Sequence, residues 1–341
     1  MRVLVTGGAG FIGSHMVEAL HARGDEVWAL DDLSTGNIEN LNGLKNAGRF
    51  HFVEGSVMDS GLVHGLVDQV DVVYHLAAAV GVRFVLENPL RSLLTNIRGS
   101  ENVLEAAHRS NNKKVILFSS SEVYGKGTKV PFTEDQDRLL GPTQVLRWSY
   151  ATSKSVDEYL ALAYFQERQL PTVVVRCFNT CGPRQSPHYG MVLPRFIQKA
   201  LQDEPILVYG DGKQTRCFSY VGDVVHGTLL LADEPSAEGE VFNIGTDEEV
   251  SVLDLATRVK QLTGSRSTIE FVAFEQIYGS RFEDMLRRVP DLNKIRAFVG
   301  YEPRCSLGSL LEVTTDFYRH QLGLAAAPKV SSPTRATTSV S

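Results

Sequence analysis

The feature that most restricts this chain is Gly8-Ala9-Gly10-Phe11-Ile12-Gly13, set directly after the apolar run Val3-Leu4-Val5-Thr6. Glycines in a G-x-G-x-x-G spacing permit a tight turn, let backbone approach a pyrophosphate closely, and allow the following helix to pack against the strand. Gly7 adds a second spacing, Gly7-x-x-Gly10-x-x-Gly13. Residues 11–23 then carry Ile12, Val17 and Leu20 with polar residues opposite, which predicts a helix. Its N-terminus would aim free N–H groups and a positive dipole end at the loop. Such a start is expected to lead into βαβ units wound around a parallel sheet.

The first half of the chain continues in that pattern. Short apolar runs at 2–6, 26–30, 49–54, 71–76, 114–119 and 172–176 read as strands rich in Val, Leu and Phe, as strands covered on both faces should be. Amphipathic stretches lie between them, one opening at Asn88-Pro89 and running to about His108, another from Tyr150 to about Gln169. From about residue 180, Gly182-Pro183, Pro194, Pro205 and Gly210-Asp211-Gly212 break the alternation into shorter elements, with helices returning at 252–262 and 307–320. The expected fold is α/β, a Rossmann-type doubly wound parallel sheet with a smaller C-terminal substrate-binding lobe. Residues 1–180 form the dinucleotide-binding domain, to which later segments also contribute, and 181–324 form mainly the lobe. Residues 325–341, rich in Ala, Ser, Thr and Pro, read as a disordered tail.

Composition excludes several functions. With 34 Lys+Arg against 40 Asp+Glu the chain is acidic, at −6, and lacks the basic footprint that nucleic acid requires. Cys177, Cys181, Cys217 and Cys305 are too few and too scattered for a disulfide framework or a structural zinc site, so reduced thiols and no metal are expected. No run approaches the roughly 20 apolar residues of a membrane span. The N-terminus shows no basic, apolar and cleavage-site sequence of a secretion signal. A soluble cytoplasmic protein is the expectation.

Asp31 ends the second predicted strand, where a carboxylate can accept hydrogen bonds from ribose hydroxyls and repel a 2′-phosphate. That favours NAD over NADP as cofactor; the alternative is that Asp31 and Asp32 only cap a loop. Tyr150 and Lys154 are four apart on one predicted helix and share a face. An ammonium beside a phenol is expected to lower the phenol's pKa from about 10 and make a base able to take a hydroxyl proton. Ser119-Ser120-Ser121, just after a strand, could add a hydroxyl that hydrogen-bonds the same oxygen.

Together these residues resemble the extended short-chain dehydrogenase/reductase family that acts on nucleotide sugars. The resemblance covers roughly residues 1–320 and includes Asp31-Asp32-Leu33-Ser34-Thr35-Gly36, His75-Leu76-Ala77-Ala78, Asn179-Thr180-Cys181-Gly182-Pro183-Arg184 and Tyr209-Gly210-Asp211-Gly212-Lys213-Gln214-Thr215-Arg216. It implies that Gly7, Gly10, Phe11, Ile12, Gly13, Asp31, Asp32, Ser56, Val57, Leu76, Ala77, Ala78, Tyr150 and Lys154 bind NAD. Ser56 departs from the acidic residue that relatives often place there for the adenine. The resemblance also implies that Asn179 and Arg216 grip the diphosphate of a UDP-sugar, that Gln214 binds the substrate, that Val192, Leu193 and Tyr209 hold the uracil, and that the chain is a homodimer.

Within that family, Ser119-Ser120-Ser121-Glu122-Val123-Tyr124-Gly125 looks most like UDP-glucuronate decarboxylases of the UDP-xylose synthase and aminoarabinose-pathway types. Arg147-Trp148-Ser149-Tyr150 and the run from Tyr278 through Phe282 and Arg288 to Pro290 agree. The resemblance assigns Tyr150, Lys154, Glu122, Ser121 and Arg288 to catalysis, and Ser120, Ser121, Arg147, Tyr150, Tyr278, Phe282 and Arg288 to the sugar. The implied chemistry is coherent. Oxidation at C4 of a uronic acid makes a β-keto acid, whose carboxylate leaves as CO2, giving a UDP-4-keto-pentose and, if the ketone is reduced again, UDP-xylose. Arg147 or Arg288 would hold the carboxylate, and Glu122 or Arg288 would manage a proton at C5. A UDP-hexose or UDP-glucuronate 4-epimerase shares the glycine loop, Tyr150 and Lys154 and stays open as the alternative. A non-catalytic NAD-responsive protein has no use for that pair.

Overall fold

The computed structural model describes residues 1–187, 191–278, 283 and 285–325. Its centre is a seven-stranded sheet with every pairing parallel. Six of its strands fall where the apolar runs predict them: β1 (Arg2–Thr6), β2 (Glu26–Asp31), β3 (Phe50–Glu54), β4 (Val72–His75), β5 (Lys114–Ser120) and β6 (Thr172–Cys177). The seventh, Glu240–Ile244, pairs with β6 from Glu240 opposite Val173 to Ile244 opposite Cys177. Sequence pattern does not reveal it, because its five residues, with Glu240 and Asn243 breaking the apolar run, sit in a stretch otherwise read as lobe.

Across the sheet the order is Glu240–Ile244, β6, β5, β4, β1, β2, β3. The direction of winding reverses between β4 and β1, and the crevice beyond their carboxyl ends is where this architecture takes ligands. Helices cover both faces. α1 (Phe11–Arg23) lies on one, its buried Met16, Val17 and Leu20 in a core shared with Val3, Val5 and the later helix Val221–Asp233. On the other, α2 (Ser60–Val67), the short α3 (Val82–Glu87), α4 (Pro89–Arg109) and α5 (Trp148–Arg168) follow in chain order; Val63, Val103, Leu104, Ala107 and Ala161 pack against Leu4, Val73 and Leu117. The helix ends follow local chemistry. Pro89 opens α4, where a missing N–H costs nothing, and Gly24 stops α1 at φ 98 with its N–H returned to His21 and Leu20.

The lobe has its own core. α6 (Val192–Leu201), the helix Val252–Thr263 and the C-terminal helix Leu307–Gln321 bring together Leu193, Phe196, Ile197, Leu255, Val259, Leu310 and Leu311. Two small ribbons edge the cleft. Ile206–Tyr209 pairs with Ile269–Val272, and Thr215–Cys217 lies between Glu249–Ser251 and Arg287–Arg288. Residues 221–244 return to the main sheet, so the lobe is not one unbroken stretch of chain. The expected tail beyond residue 325 lies outside the described residues. Among the described residues no helix is long and apolar enough to cross a membrane, and all four cysteines are free.

Candidate active site

A cleft of about 770 Å³ runs from the glycine loop across the carboxyl ends of the strands to the lobe. At one end the backbone leaves Gly7 at φ 70, a left-handed conformation costly for any residue with a side chain, and a Cβ there would stand 2.9 Å from the Ala77 amide nitrogen. A Cβ on Gly13 would overlap the Gly7 carbonyl. The loop is therefore a cradle only glycine can form, and it fits the pyrophosphate of a dinucleotide. Gly7, Gly10, Phe11, Ile12, Gly13, Asp31, Asp32, Ser56, Val57, Leu76, Ala77 and Ala78 all line this end. Asp31 also holds the loop: its two carboxylate oxygens accept from Ala9 N (2.9 Å) and Leu33 N (2.8 Å). Each oxygen retains a lone pair for a ribose hydroxyl. Asp32 accepts from the Ser34 amide and hydroxyl, and the Ser56 hydroxyl accepts from Met58 N.

Beneath the loop, Thr6 Oγ1 and His75 Nδ1 are 2.8 Å apart, and His75 Nε2 meets Ser100 Oγ at 3.2 Å. Burial, aided by the charge of Lys154, pushes the His75 imidazole down to about 3, so it is a neutral strut between β1, β4 and α4. His15 likewise packs edge-on to Phe11 and bonds the Pro183 carbonyl.

At the other end, Ser120 closes β5 and its hydroxyl accepts from Glu122 N, capping a turn over Ser121–Tyr124 that carries Ser121 and Glu122 into the cleft. Alternation in the two-residue strand Arg287–Arg288 sends Arg287 outward to Glu249 and Arg288 inward, opposite Arg216. Arg288 donates to Glu122 at 2.7 Å and to Asn179 Oδ1 at 3.3 Å, and Arg147 reaches Glu122 at 3.4 Å. Burial raises the Glu122 carboxyl, but Arg147, Arg288 and Arg216 outweigh it and hold the group at about 2. Glu122 is thus a fixed anion in the free protein, and both arginines expected to seat a substrate carboxylate are turned toward it. Ser121 is buried, and its hydroxyl is without a hydrogen-bond partner among the described residues, a cost that a ligand oxygen would relieve.

Tyr150 and Lys154 lie on the first turns of α5 and both line the cleft. The phenol, however, is raised above its usual range rather than lowered. Burial is the main cause, the negative charges of Glu122 and Asp157 add to it, and the Ser120 hydroxyl opposes it. Lys154 is engaged elsewhere, its Nζ 3.0 Å from Asp157 Oδ2.

Toward the lobe, Asn179, Val192, Tyr209, Gln214 and Arg216 line the cleft. Gln214 donates to the Tyr209 carbonyl at 2.8 Å, and the Arg195 guanidinium stacks 3.9 Å over the Tyr209 ring. The Leu193 side chain does not join them: on the inner face of α6 it is fully buried in the lobe core. The side chain of Tyr278, at the end of the helix Phe274–Tyr278, and the whole of Phe282 lie outside the described residues. Residues the sequence did not single out also reach the cleft, among them Arg184, Arg195, Phe274 and Tyr318. Only Arg184 carried a signal, as the last residue of the Asn179–Arg184 segment. Among the described residues no group of His, Cys, Asp and Glu could hold a metal ion.

The NAD dependent epimerase/dehydratase family matches residues 3–245. Over 319 residues the chain is 44% identical to a UDP-N-acetyl-alpha-D-glucosaminuronate decarboxylase of Bacillus cytotoxicus, covering 93% of this chain and 98% of that one. It is 36% identical to UDP-glucuronic acid decarboxylase 1 of Xenopus tropicalis, over 94% of this chain and 73% of that one. Among solved structures, a UDP-glucuronic acid 4-epimerase from Bacillus cereus, in complex with UDP-glucuronic acid and NAD, superposes with a TM-score of 0.85 at 31% identity, covering 94% of this chain and 100% of that one. A glycine cradle at the point where a parallel sheet reverses, and matches of this length, agree: the chain belongs to the NAD dependent epimerase/dehydratase family.

Proposed function

We propose that this protein decarboxylates UDP-glucuronate through a UDP-4-keto-glucuronate intermediate, with NAD as cofactor. The observation that carries the reading is the pair of buried guanidiniums, Arg147 and Arg288, at the sugar end of the cleft beside Tyr150. A neutral hexose has no group that needs two cations there, and a uronate carboxylate does. The decarboxylase names of the curated relatives support it.

NAD, held by the glycine loop, Asp31 and the 76–78 segment, supplies the hydride acceptor and, in its oxidised form, a positive charge. The phenol of Tyr150, raised in the free protein, would lose its own proton under that positive charge, and the resulting phenolate takes the proton of the C4 hydroxyl, while Lys154 anchors the end of the site on which that transfer depends. With C4 a ketone, the C5–C6 bond breaks, CO2 leaves, and its electron pair enters a C4–C5 enolate. Tyr150 and the free hydroxyl of Ser121 stabilise the enolate oxygen. Glu122 and the substrate carboxylate compete for Arg288 and Arg147, so the substrate's own charge loosens the ion pairs holding Glu122. Arg288 steers the carboxylate by charge, and C5 gains its proton from solvent water reaching the cleft, since Glu122 is itself an anion. Asn179 and Arg216 take the diphosphate.

Incubation with UDP-glucuronate and NAD, read by mass spectrometry, tests this. A product lighter by CO2 is expected. Recovery of isomers of unchanged mass would instead make the protein a 4-epimerase, the reading favoured by the Bacillus cereus structure. The 2-acetamido counterpart of the substrate belongs in the same experiment, because the 44% identical relative is named for it and C2 takes no part in the bond changes. A cytoplasmic homodimer completes the reading, supported by free thiols and by Leu90 on α4 and Tyr159 on α5, which are 68% and 63% exposed. Light scattering tests the dimer.

A further inference from the structure

Asp157 is fully buried on α5, one turn past Lys154, and nothing in the decarboxylase reading uses it. A carboxylate so placed is costly unless a partner compensates it. Its partner is Lys154, itself 2% exposed, at 3.0 Å. The second oxygen of Asp157 has no hydrogen-bond partner among the described residues, so beyond the Ser100 hydroxyl it is the lysine that offsets this buried charge.

We propose that Asp157 is a positioning residue of the Tyr150–Lys154 pair: its carboxylate pins the ammonium at the floor of the cleft and offsets part of the positive charge that would otherwise act on the phenol. The inference rests on the reading of Tyr150 as the C4 base. Titratable groups face the pair from each element packed against it. Glu122 faces it from the turn after β5, with its charge balanced by Arg147, Arg288 and Arg216; Cys177 faces it from β6; neutral His75 faces it from β4; Asp157 and Glu158 lie on α5, with Glu158 engaged by Arg176. Of the acids near Tyr150, Asp157 alone is tied to Lys154. Burial raises its own carboxyl, while Lys154 and the Ser100 hydroxyl oppose that, as a pair sharing one charge balance should behave.

Asp157→Asn keeps an oxygen that can accept from Lys154 and removes the charge. In single turnovers followed at 340 nm, the pH at which C4 oxidation reaches half its limiting rate is expected to fall by about 1 unit. A merely structural aspartate would leave that midpoint in place, and an unmoved or rising midpoint overturns the proposal. Should the asparagine variant not fold, judged by its thermal melt, Asp157→Glu takes its place. One added methylene retains charge but displaces the ammonium, so kcat should drop about 10- to 100-fold with KM and midpoint kept. Wild-type kcat in that variant overturns the proposal. Absorbance at 340 nm without CO2 sinks the decarboxylase reading and leaves this one standing. No 340-nm signal from UDP-glucuronate or UDP-glucose refutes both.

Discussion

Replacing Glu122 by glutamine isolates the charge that organises the sugar end of the cleft. The carboxyl is held at about 2, against an ordinary value of 4.5, by guanidiniums that overcome its burial. Because the folded value is depressed, the stabilisation is complete above the unfolded value and is lost as pH falls toward the folded one. From pH 7 down to about 5 the group contributes about 3 kcal/mol, the 2.5-unit gap at about 1.4 kcal/mol each. By pH 3.5 the unfolded chain has taken up its proton while the folded one has not, and about 2 kcal/mol remains. Glutamine is uncharged throughout, so Glu122→Gln should be less stable than wild type at pH 7 by at least that pH-dependent part, and the gap should narrow by about 1 kcal/mol on going to pH 3.5. Urea unfolding of both proteins without ligand, at a series of pH values, measures it. A gap that does not change with pH, or a variant as stable as wild type, would refute the claim that Glu122 is an arginine-clamped anion.

Other outcomes follow from single contacts. Ser121→Ala should slow C4 oxidation about 10-fold or more and leave the melting temperature unchanged or slightly higher, since the hydroxyl it removes has no hydrogen-bond partner among the described residues. Gly13→Ala forces a methyl into the Gly7 carbonyl, and calorimetry should find NAD affinity reduced at least about 100-fold. His75, held down to about 3 by burial, is neutral in the folded chain and protonates once unfolded. Its contribution is therefore complete above about 6.5 and falls by about 1.4 kcal/mol per pH unit below that. His75→Gln should flatten the loss of stability between pH 6.5 and 4.5, which paired urea titrations would show.

Much of this protein is settled by short-range pattern. A strand buried on both faces needs a run of apolar residues, a helix on the sheet needs apolar spacing near 3.6, and a phosphate cradle needs glycines at fixed intervals. All three are visible within windows of a dozen residues. For that reason β1 to β6, the glycine loop and the adjacency of Tyr150 to Lys154 were all legible in the sequence. What the two reactive side chains experience was not. Glu122 meets Arg288 across 166 residues of chain, and no local rule announces that ion pair or the arginine from position 147 that joins it. Leu193 sits beside Val192 in sequence, yet the turn of α6 sends one to the core and the other to the cleft. Local spacing places Lys154 beside Tyr150, but the burial of α5 determines that its charge is spent on Asp157 and that the phenol is raised. Charge and desolvation act through space, with a strength set by what packing excludes, and so the electrostatics of the site belong to the tertiary structure alone.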